Sequence, residues 1–352
     1  MQFRTEIITH IDDFFIKDWE ELWKKSENAN IYNSYEWFLT CLQTYAVKEY
    51  EIYACYKNDQ LVALLPLQPY KCFGIKVFGT FCKEQLVDTA FLMEKYEKVT
   101  FKHLFEAILE KQRNIYFQKF DNKAIAILHE LFPQFFISLM SVNPTIDLEG
   151  YPSTSISQST ISKIKKIVKK NAEQLQFAVY SENLQEHLET MFKLQESSSK
   201  KARSMDIFAN EKTKEYYRNL TKNCHKFVRI HILSFDKLPI AYEYGFLCGK
   251  NYSGEQVSYH NDYKKLSPGK IIVYKLIEQL QKEKIKTADQ GGGINSYKLS
   301  FTQDYRLLYN IYYSPNICIM FWWRSINKVR RIKQVLFPKK NTRDHEFLFK
   351  TI

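Results

Sequence analysis

Apolar positions recur at helical spacing twice near the N-terminus. Trp19, Leu22 and Trp23 stand at i, i+3 and i+4, and Trp37, Phe38, Cys41, Leu42 and Tyr45 repeat that spacing. The pattern predicts two amphipathic helices parted by the polar break Ser26–Asn30. Then the period shortens. Glu51–Tyr56 is rich in β-formers, the polar residues 57–60 read as a turn, and Leu61–Tyr70 is a second apolar run, so a hairpin is expected. Phe101–Lys111 and Asn122–Leu131 return to helical spacing, with a strand near Ile115–Phe120 between them.

Residues 141–160 shift in composition. Asn143-Pro144, Gly150-Tyr151-Pro152 and the Ser/Thr run 153–160 mark a joint, which divides the chain into halves 1–152 and 153–352. A basic helix over Thr160–Gln174 follows, then amphipathic helices over Leu184–Ser197 and 211–222. The hairpin pattern then reappears as strands Phe227–Ser234 and Pro239–Cys248, with a third strand at Tyr252–His260. Positions 52–65 and 230–243 share a layout of strand, polar turn, and a strand opening on Leu61-Val62-Ala63 or Pro239-Ile240-Ala241. Two helices precede each hairpin. The pattern reads as an internal duplication of one α/β unit. The alternative is that hairpins are simply common.

Composition narrows the class. With 45% hydrophobic and 16% aromatic residues the chain has material for large cores, which excludes a disordered protein. Lys and Arg exceed Asp and Glu by 51 to 39, and the excess of +12 favours an acidic partner: nucleic acid, an anionic membrane or a polyphosphate. The basic residues cluster in three places: five lysines in Lys163–Lys170, the trio Lys264, Lys265 and Lys270, and eight in the tail 324–343. With Phe321, Trp322, Trp323, Val329 and Leu336, that tail is a candidate for peripheral contact with a membrane face. The seven cysteines form no CxxC pair and sit in apolar segments, so buried free thiols in a reducing compartment are expected. The N-terminus has no continuous apolar run, which makes the cytoplasm the expected location.

One segment carries chemistry. Ser267-Pro268-Gly269 opens a helix whose buried face is Val273, Leu276, Ile277 and Leu280. Serine suits an N-cap and proline the first turn, while glycine admits close approach. The amides of such a first turn make an anion site, and Lys264, Lys265 and Lys270 surround it. A pyrophosphate cradle and a merely well-capped helix both fit the tripeptide. A short strand, Ile285–Ala288, leads into Asp289, the glycines 291–293 and Tyr297-Lys298. Asp289 could either orient substrate or cap the loop backbone. His260 and Glu243 are candidate bases on neighbouring strands, each with a purely structural alternative. No metal site is legible, since His225 and His231 have no partner at ligand spacing.

Tyr263, Ser267, Pro268, Gly269, Asp289, Gly291, Gly293, Tyr297 and Lys298, in that order, resemble the C-terminal signature of the CelD/BcsL-like branch of the GNAT acyltransferases. Trp19 and the run Asn33-Ser34-Tyr35-Glu36-Trp37 resemble that family's opening. The triple glycine with Tyr297, Lys298 and Phe301 is similar to the FemABX peptidyltransferases. The resemblance implies a tandem GNAT-like fold of mixed α/β sheets with two related halves. It implies acyl transfer from acyl-CoA, or from an acyl-carrier protein, to the amine of a small-molecule or glycan acceptor such as a cell-envelope precursor. A FemABX-like enzyme would instead take its donor from aminoacyl-tRNA, which the lysine helix suits, and a degenerate non-catalytic module is the third reading.

On the same basis the donor lies between splayed strands Glu255–His260 and Ile285–Ala288. Its pyrophosphate falls to Ser267, Gly269, Lys270 and Ile271, and amides near Ser258–His260 face the acyl oxygen. Tyr297 is the implied acid, Asp289, His260 and Glu243 complete the catalytic set, and Tyr259, Gly291, Gly293 and Lys298 contact substrate. The chain departs from the family where Leu194-Gln195-Glu196-Ser197-Ser198 replaces a Leu-His pattern, and where Ile294-Asn295 follows the glycines in place of a charged residue.

Overall fold

Aromatic and β-branched runs become strands here wherever polar turns bracket them, and three-to-four spacing becomes helix. The computed structural model describes all residues except 1, 112, 152–157, 203–205, 296 and 337–352. Its first elements are β1 (Phe3–Ile8), α1 (Asp13–Lys25), α2 (Tyr35–Tyr45), β2 (Glu51–Lys57), β3 (Gln60–Cys72), β4 (Ile75–Thr80) and β5 (Leu92–Met93). Next come α3 (Lys98–Glu110), β6 (Ile115–Asp121), α4 (Asn122–Leu131), β7 (Phe136–Asp147), α5 (Gln158–Lys170), β8 (Leu175–Tyr180), α6 (Leu184–Glu196), α7 (Ser199–Ala202) and α8 (Glu211–Asn223). The last are β9 (Val228–Phe235), β10 (Leu238–Cys248), β11 (Asn251–Tyr259), α9 (Pro268–Lys282), β12 (Thr287–Asp289), β13 (Tyr305–Tyr313) and α10 (Ile317–Leu336).

These elements form two compact units. Among the described residues, one holds those of 1–143, the strap Gly292–Ile294 and 306–336; the other holds those of 144–291 and 295–305. The halves expected from sequence were 1–152 and 153–352, whereas the compact units change over at 143/144. β7 runs straight through the predicted joint, and Pro144 is tolerated there because its carbonyl still accepts the Gln290 amide at 2.9 Å. The rest of the joint, 152–157, lies outside the described residues.

In the first unit the sheet order is β1-β2-β3-β4-β6-β13-β7, with β5 on the side of β3. β1 to β4 form an antiparallel meander, and β4 pairs with β6 in parallel. Asp12 caps α1 by accepting the Phe15 amide at 2.8 Å, and Ser34 caps α2 by accepting from Trp37 at 3.2 Å. The core is aromatic: Phe101, Phe105, Phe117 and Phe120 are all fully buried among Tyr53 and Leu65.

In the second unit the order from the end of β7 is β7-β12-β11-β10-β9-β8. β8 to β11 form an antiparallel meander, and β11 pairs with β12 in parallel. This repeats the connectivity of the first unit, as the duplicated hairpin predicts. α9 buries Ile271, Ile272, Leu276 and Ile277 on one sheet face with Ile161 and Ile164 of α5. Tyr242 and Tyr244 of β10 point to α6 and α8, bonding Gln195 at 2.9 Å and Thr221 at 3.0 Å. Edge strands β1 and β8 were not anticipated, and the basic helix ends at Lys170 rather than Gln174. Six of the seven free cysteines are buried, but Cys318 is exposed. No helix among the described residues is long and apolar enough to cross a membrane.

The parallel pair of the first unit is sealed. Beyond Gly79↔Tyr116, Thr80 Oγ1 accepts the Gln118 amide at 2.9 Å, and the Tyr70 hydroxyl donates to Tyr116 O at 3.1 Å directly over Gly79. A Cβ on Gly79 would overlap both Tyr116 O and the Tyr70 hydroxyl. Gly79→Ala is expected to cost about 1–3 kcal/mol, read as a lowered urea midpoint.

Candidate functional site

The matching pair in the second unit is open. β11 and β12 share only Asn251↔Thr287, Tyr252↔Ala288 and Ser253↔Asp289. β12 then stops while β11 continues to Tyr259, and among the described residues one edge of β11 has no strand partner over 254–259. The His260 amide donates to Ile240 O at 2.8 Å, which sets the phase of the ladder with β10. Ser258, opposite Tyr242, shares that phase, so Val257 and Tyr259 turn their N–H groups to the open edge. The amides expected near Ser258–His260 are thus those of Val257 and Tyr259.

α9 begins beside this edge. A 3-10 turn over Asn261–Leu266 winds into Ser267, which adopts a left-handed conformation at φ 57° and makes no side-chain cap. The expected serine N-cap is therefore corrected. Ser267 O accepts Lys270 N at 2.9 Å and Ile271 N at 3.2 Å, so those two amides are engaged within the protein. Pro268 has no N–H, which leaves Gly269 as the one first-turn amide with no acceptor among the described residues. A Cβ at 269 would lie 3.2 Å from the Tyr259 ring, so glycine lets that ring close on the helix start. Lys264 and Lys265 are exposed around it and Lys270 is half-buried.

A cavity of about 50 Å³ lies under α9, between β10, β11 and β12. Its apolar walls include Ile146, Val257, Val273, Leu276 and Ile277, and its polar groups come from Glu243, Tyr252, Glu255, Gln256, Asp289, Gln290 and Tyr297. Glu243 is only 3% exposed. A carboxylate this deep needs donors, since an uncompensated buried charge is expensive. His231 Nδ1 lies 2.7 Å from its Oε2, and the Tyr252 hydroxyl donates to the same oxygen. Two glycines make room: a Cβ on Gly245 would overlap the Tyr252 hydroxyl, and one on Gly254 would stand 3.0 Å from Glu243 Oε1. Burial pushes the Tyr252 phenol well above its ordinary range, and the Glu243 charge adds to it. Burial raises the Tyr297 phenol too, again reinforced by Glu243. Both hydroxyls stay protonated at neutral pH.

Asp289 accepts the Gly291 amide at 2.7 Å, the loop-capping geometry. Gly291 has φ 73°, a value that favours glycine. Buried Lys298 donates from Nζ to Gly291 O at 2.9 Å, and its own amide bonds Asn295 Oδ1 at 3.0 Å. Asp289 and Lys298 therefore brace the glycine turn from both ends. Gly293 belongs to the first unit, where its amide bonds Val142 O at 3.1 Å. His260 caps the 3-10 turn by accepting the Asp262 amide at 3.3 Å, and it does not line the cavity.

The structure thus gathers Glu243, Asp289 and Tyr297 on one cavity, and Tyr259 with Gly269 at the helix start. Sequence reasoning missed His231 and Tyr252 as partners of Glu243. The hairpin was legible, but its register was not: counting back from the turn sets Ile230 opposite Glu243, and the bulge at Pro239/Ala241 brings His231 there instead. It also missed two groups toward α6 and α7. Gln195 is 1% exposed, accepts from Tyr242, and leaves its Nε2 without a partner among the described residues. Lys200 is half-buried with Nζ 3.5 Å from Gln256 Oε1. Desolvation lowers its ammonium to about 8, against the pull of Asp206. Among the described residues no group of three or more His, Cys, Asp or Glu is placed to hold a metal ion.

Two measurements follow. Tyr252→Phe removes one donor to a buried carboxylate and is expected to cost about 1–3 kcal/mol by denaturant unfolding. Lys200 holds fewer protons folded than unfolded, so its contribution to stability rises as pH climbs from about 8. Lys200→Met should flatten that rise in unfolding midpoints measured across the alkaline range.

Comparison with known proteins bears on this geometry. Residues 158–299 match the family model described as "Acetyltransferase (GNAT) domain". No curated protein sequence matches the chain. Among solved structures, FemX is similar with a TM-score of 0.64 at 11% identity, over 89% of this chain and 98% of that one. L-PGS from Bacillus licheniformis has a TM-score of 0.57 at 13% identity, over 88% and 95% of the two chains. A tandem GNAT protein from the clavulanic acid biosynthesis pathway has a TM-score of 0.50 at 10% identity, over 90% and 100%. At such identities the likeness speaks to fold. Residues 158–299 match a GNAT domain model, and the mixed α/β fold of the chain is similar to that of a tandem GNAT protein.

Proposed function

We propose that this chain is an N-acyltransferase that moves a short acyl group, acetyl foremost, from acyl-CoA to an amine of a sugar or cell-envelope precursor in the cytoplasm. The observation that carries the proposal is the open edge of β11, which leads from the start of α9 to a cavity holding Glu243 and Tyr297. The GNAT match over 158–299 supports an acyl-transfer chemistry. The resemblance of residues 259–301 to the CelD/BcsL-like branch supports the acceptor class.

The residues fit such a donor. The Gly269 amide, with Lys264, Lys265 and Lys270 nearby, suits the pyrophosphate. The exposed edge of β11 offers Val257 and Tyr259 amides to the donor, and the apolar walls suit a small acyl group. The thioester supplies an activated acyl carbon and a thiolate leaving group. Backbone amides from β11 stabilise charge that develops on the acyl oxygen. Glu243 is the base that takes the proton from the acceptor amine, held in position by His231 and Tyr252. Tyr297, kept neutral by burial, returns a proton to the thiolate. Asp289 and Lys298 shape the glycine turn that borders the reaction.

Titration calorimetry with CoA and acetyl-CoA tests the donor, and binding is the expected result. Gly269→Val should weaken it, because the bulkier side chain displaces Tyr259 from the helix start. Glu243→Gln should lower kcat by roughly 10²–10⁴-fold and leave the donor Kd unchanged. Absence of CoA binding overturns the reading. Acyl-carrier protein would then be the donor to assay, and filter binding of aminoacyl-tRNA with its salt slope tests a FemABX-like enzyme. Donor binding without turnover on any amine identifies a non-catalytic module.

A further inference from the structure

α10 has two faces of opposite character. One is built into the first unit, where Trp323 is fully buried and Met320 nearly so, against Cys72, Val77, Tyr116 and Tyr312. The other exposes Ile317, Phe321, Trp322, Val329 and Ile332, at 80%, 72%, 50%, 63% and 46%. At helical pitch Phe321, Trp322, Val329 and Ile332 fall in one stripe turned away from Trp323. The twenty residues contain no Asp or Glu, and Arg324, Lys328, Arg330, Arg331 and Lys333 are all cationic. Arg324 and Arg330 lie over the rings of Phe136 and Phe73, at 5.8 Å and 4.3 Å. Lys328 and Arg331 lie along one side of the apolar stripe at helical pitch.

We infer that this face of α10 docks on an anionic lipid bilayer. The proposal rests on α10 alone and is independent of the acyl-transfer reading. A second copy of the helix fits poorly, because two stripes bordered by cations and devoid of carboxylates would repel. A polyanion without an apolar surface leaves Phe321, Trp322 and Val329 in water. An anionic bilayer satisfies both features: side chains such as Phe321 and Trp322 enter the headgroup boundary, and lysine and arginine meet the lipid charge. The helix lies along the surface, being too charged to span it.

The test is flotation of the full chain with vesicles of phosphatidylcholine alone and of phosphatidylcholine mixed with phosphatidylglycerol. Binding is expected to the mixed vesicles and to fall steeply with added salt. Phe321→Ser combined with Val329→Ser should weaken binding by about tenfold or more, with an unchanged unfolding midpoint because both positions are exposed. Lys328→Glu with Arg331→Glu should abolish the preference for anionic lipid. The inference is overturned if the native chain binds neither vesicle or binds both equally. It is also overturned if light scattering shows a dimer that Phe321→Ser dissolves without any effect on vesicles. Should a double variant fail to fold, the salt and lipid dependence of the native chain decides alone.

Discussion

A parallel pair of strands that parts after three residues is the constraint on which the second unit depends. The parting has a local cause. Asp289 turns its carboxylate back onto the Gly291 amide, so the backbone that would extend β12 is spent on a turn. β11 runs on, and its edge keeps amides that no strand takes up. In a sheet such an edge is usually a liability that proteins cover or pair. Here it borders a cavity and the start of a helix, and each of the other site features is arranged around it.

The cavity floor shows what it takes to keep a carboxylate there. Burial of Glu243 is offset by two donors on one oxygen, His231 and Tyr252, and by glycines at 245 and 254 that remove the side chains otherwise in the way. The result is an acceptor whose second oxygen faces the cavity side of Gly254. Tyr252 and Tyr297 stay protonated for the same physical reason, because desolvation and a neighbouring negative charge both oppose ionisation.

The first unit shows the same module put to a different use. Its parallel pair is closed by Tyr70, Thr80 and Gln118, and α3 starts at Lys98 after Glu97, which makes no side-chain cap, and has no proline-glycine pair. The two units therefore share the meander and the crossover, but among the described residues the open edge belongs to the second. The first unit contributes a rigid aromatic core and α10, whose outward face is the most apolar exposed feature of that helix.

Much of the frame was legible in the residues. The Trp and Phe stripes at 19–23 and 37–45 read as helices because three-to-four spacing is a short-range property, and Ser34 and Asp12 act as caps for the same local reason. The repeated hairpins read as strands because runs of β-formers and apolar residues flank a polar turn. β1 and β8 escaped notice because both are edge strands, half-buried on weak patterns. Pro144 read as a joint because sequence cannot show that its carbonyl finds Gln290. The pairing of His231 with Glu243, the left-handed turn at Ser267 and the contact of His260 with the Asp262 amide were decided by tertiary structure. The pairing of His231 with Glu243 depends on strand register, which the bulge at Pro239/Ala241 shifts by one residue. A one-residue shift exchanges the faces of a strand, and no local pattern of residues records it.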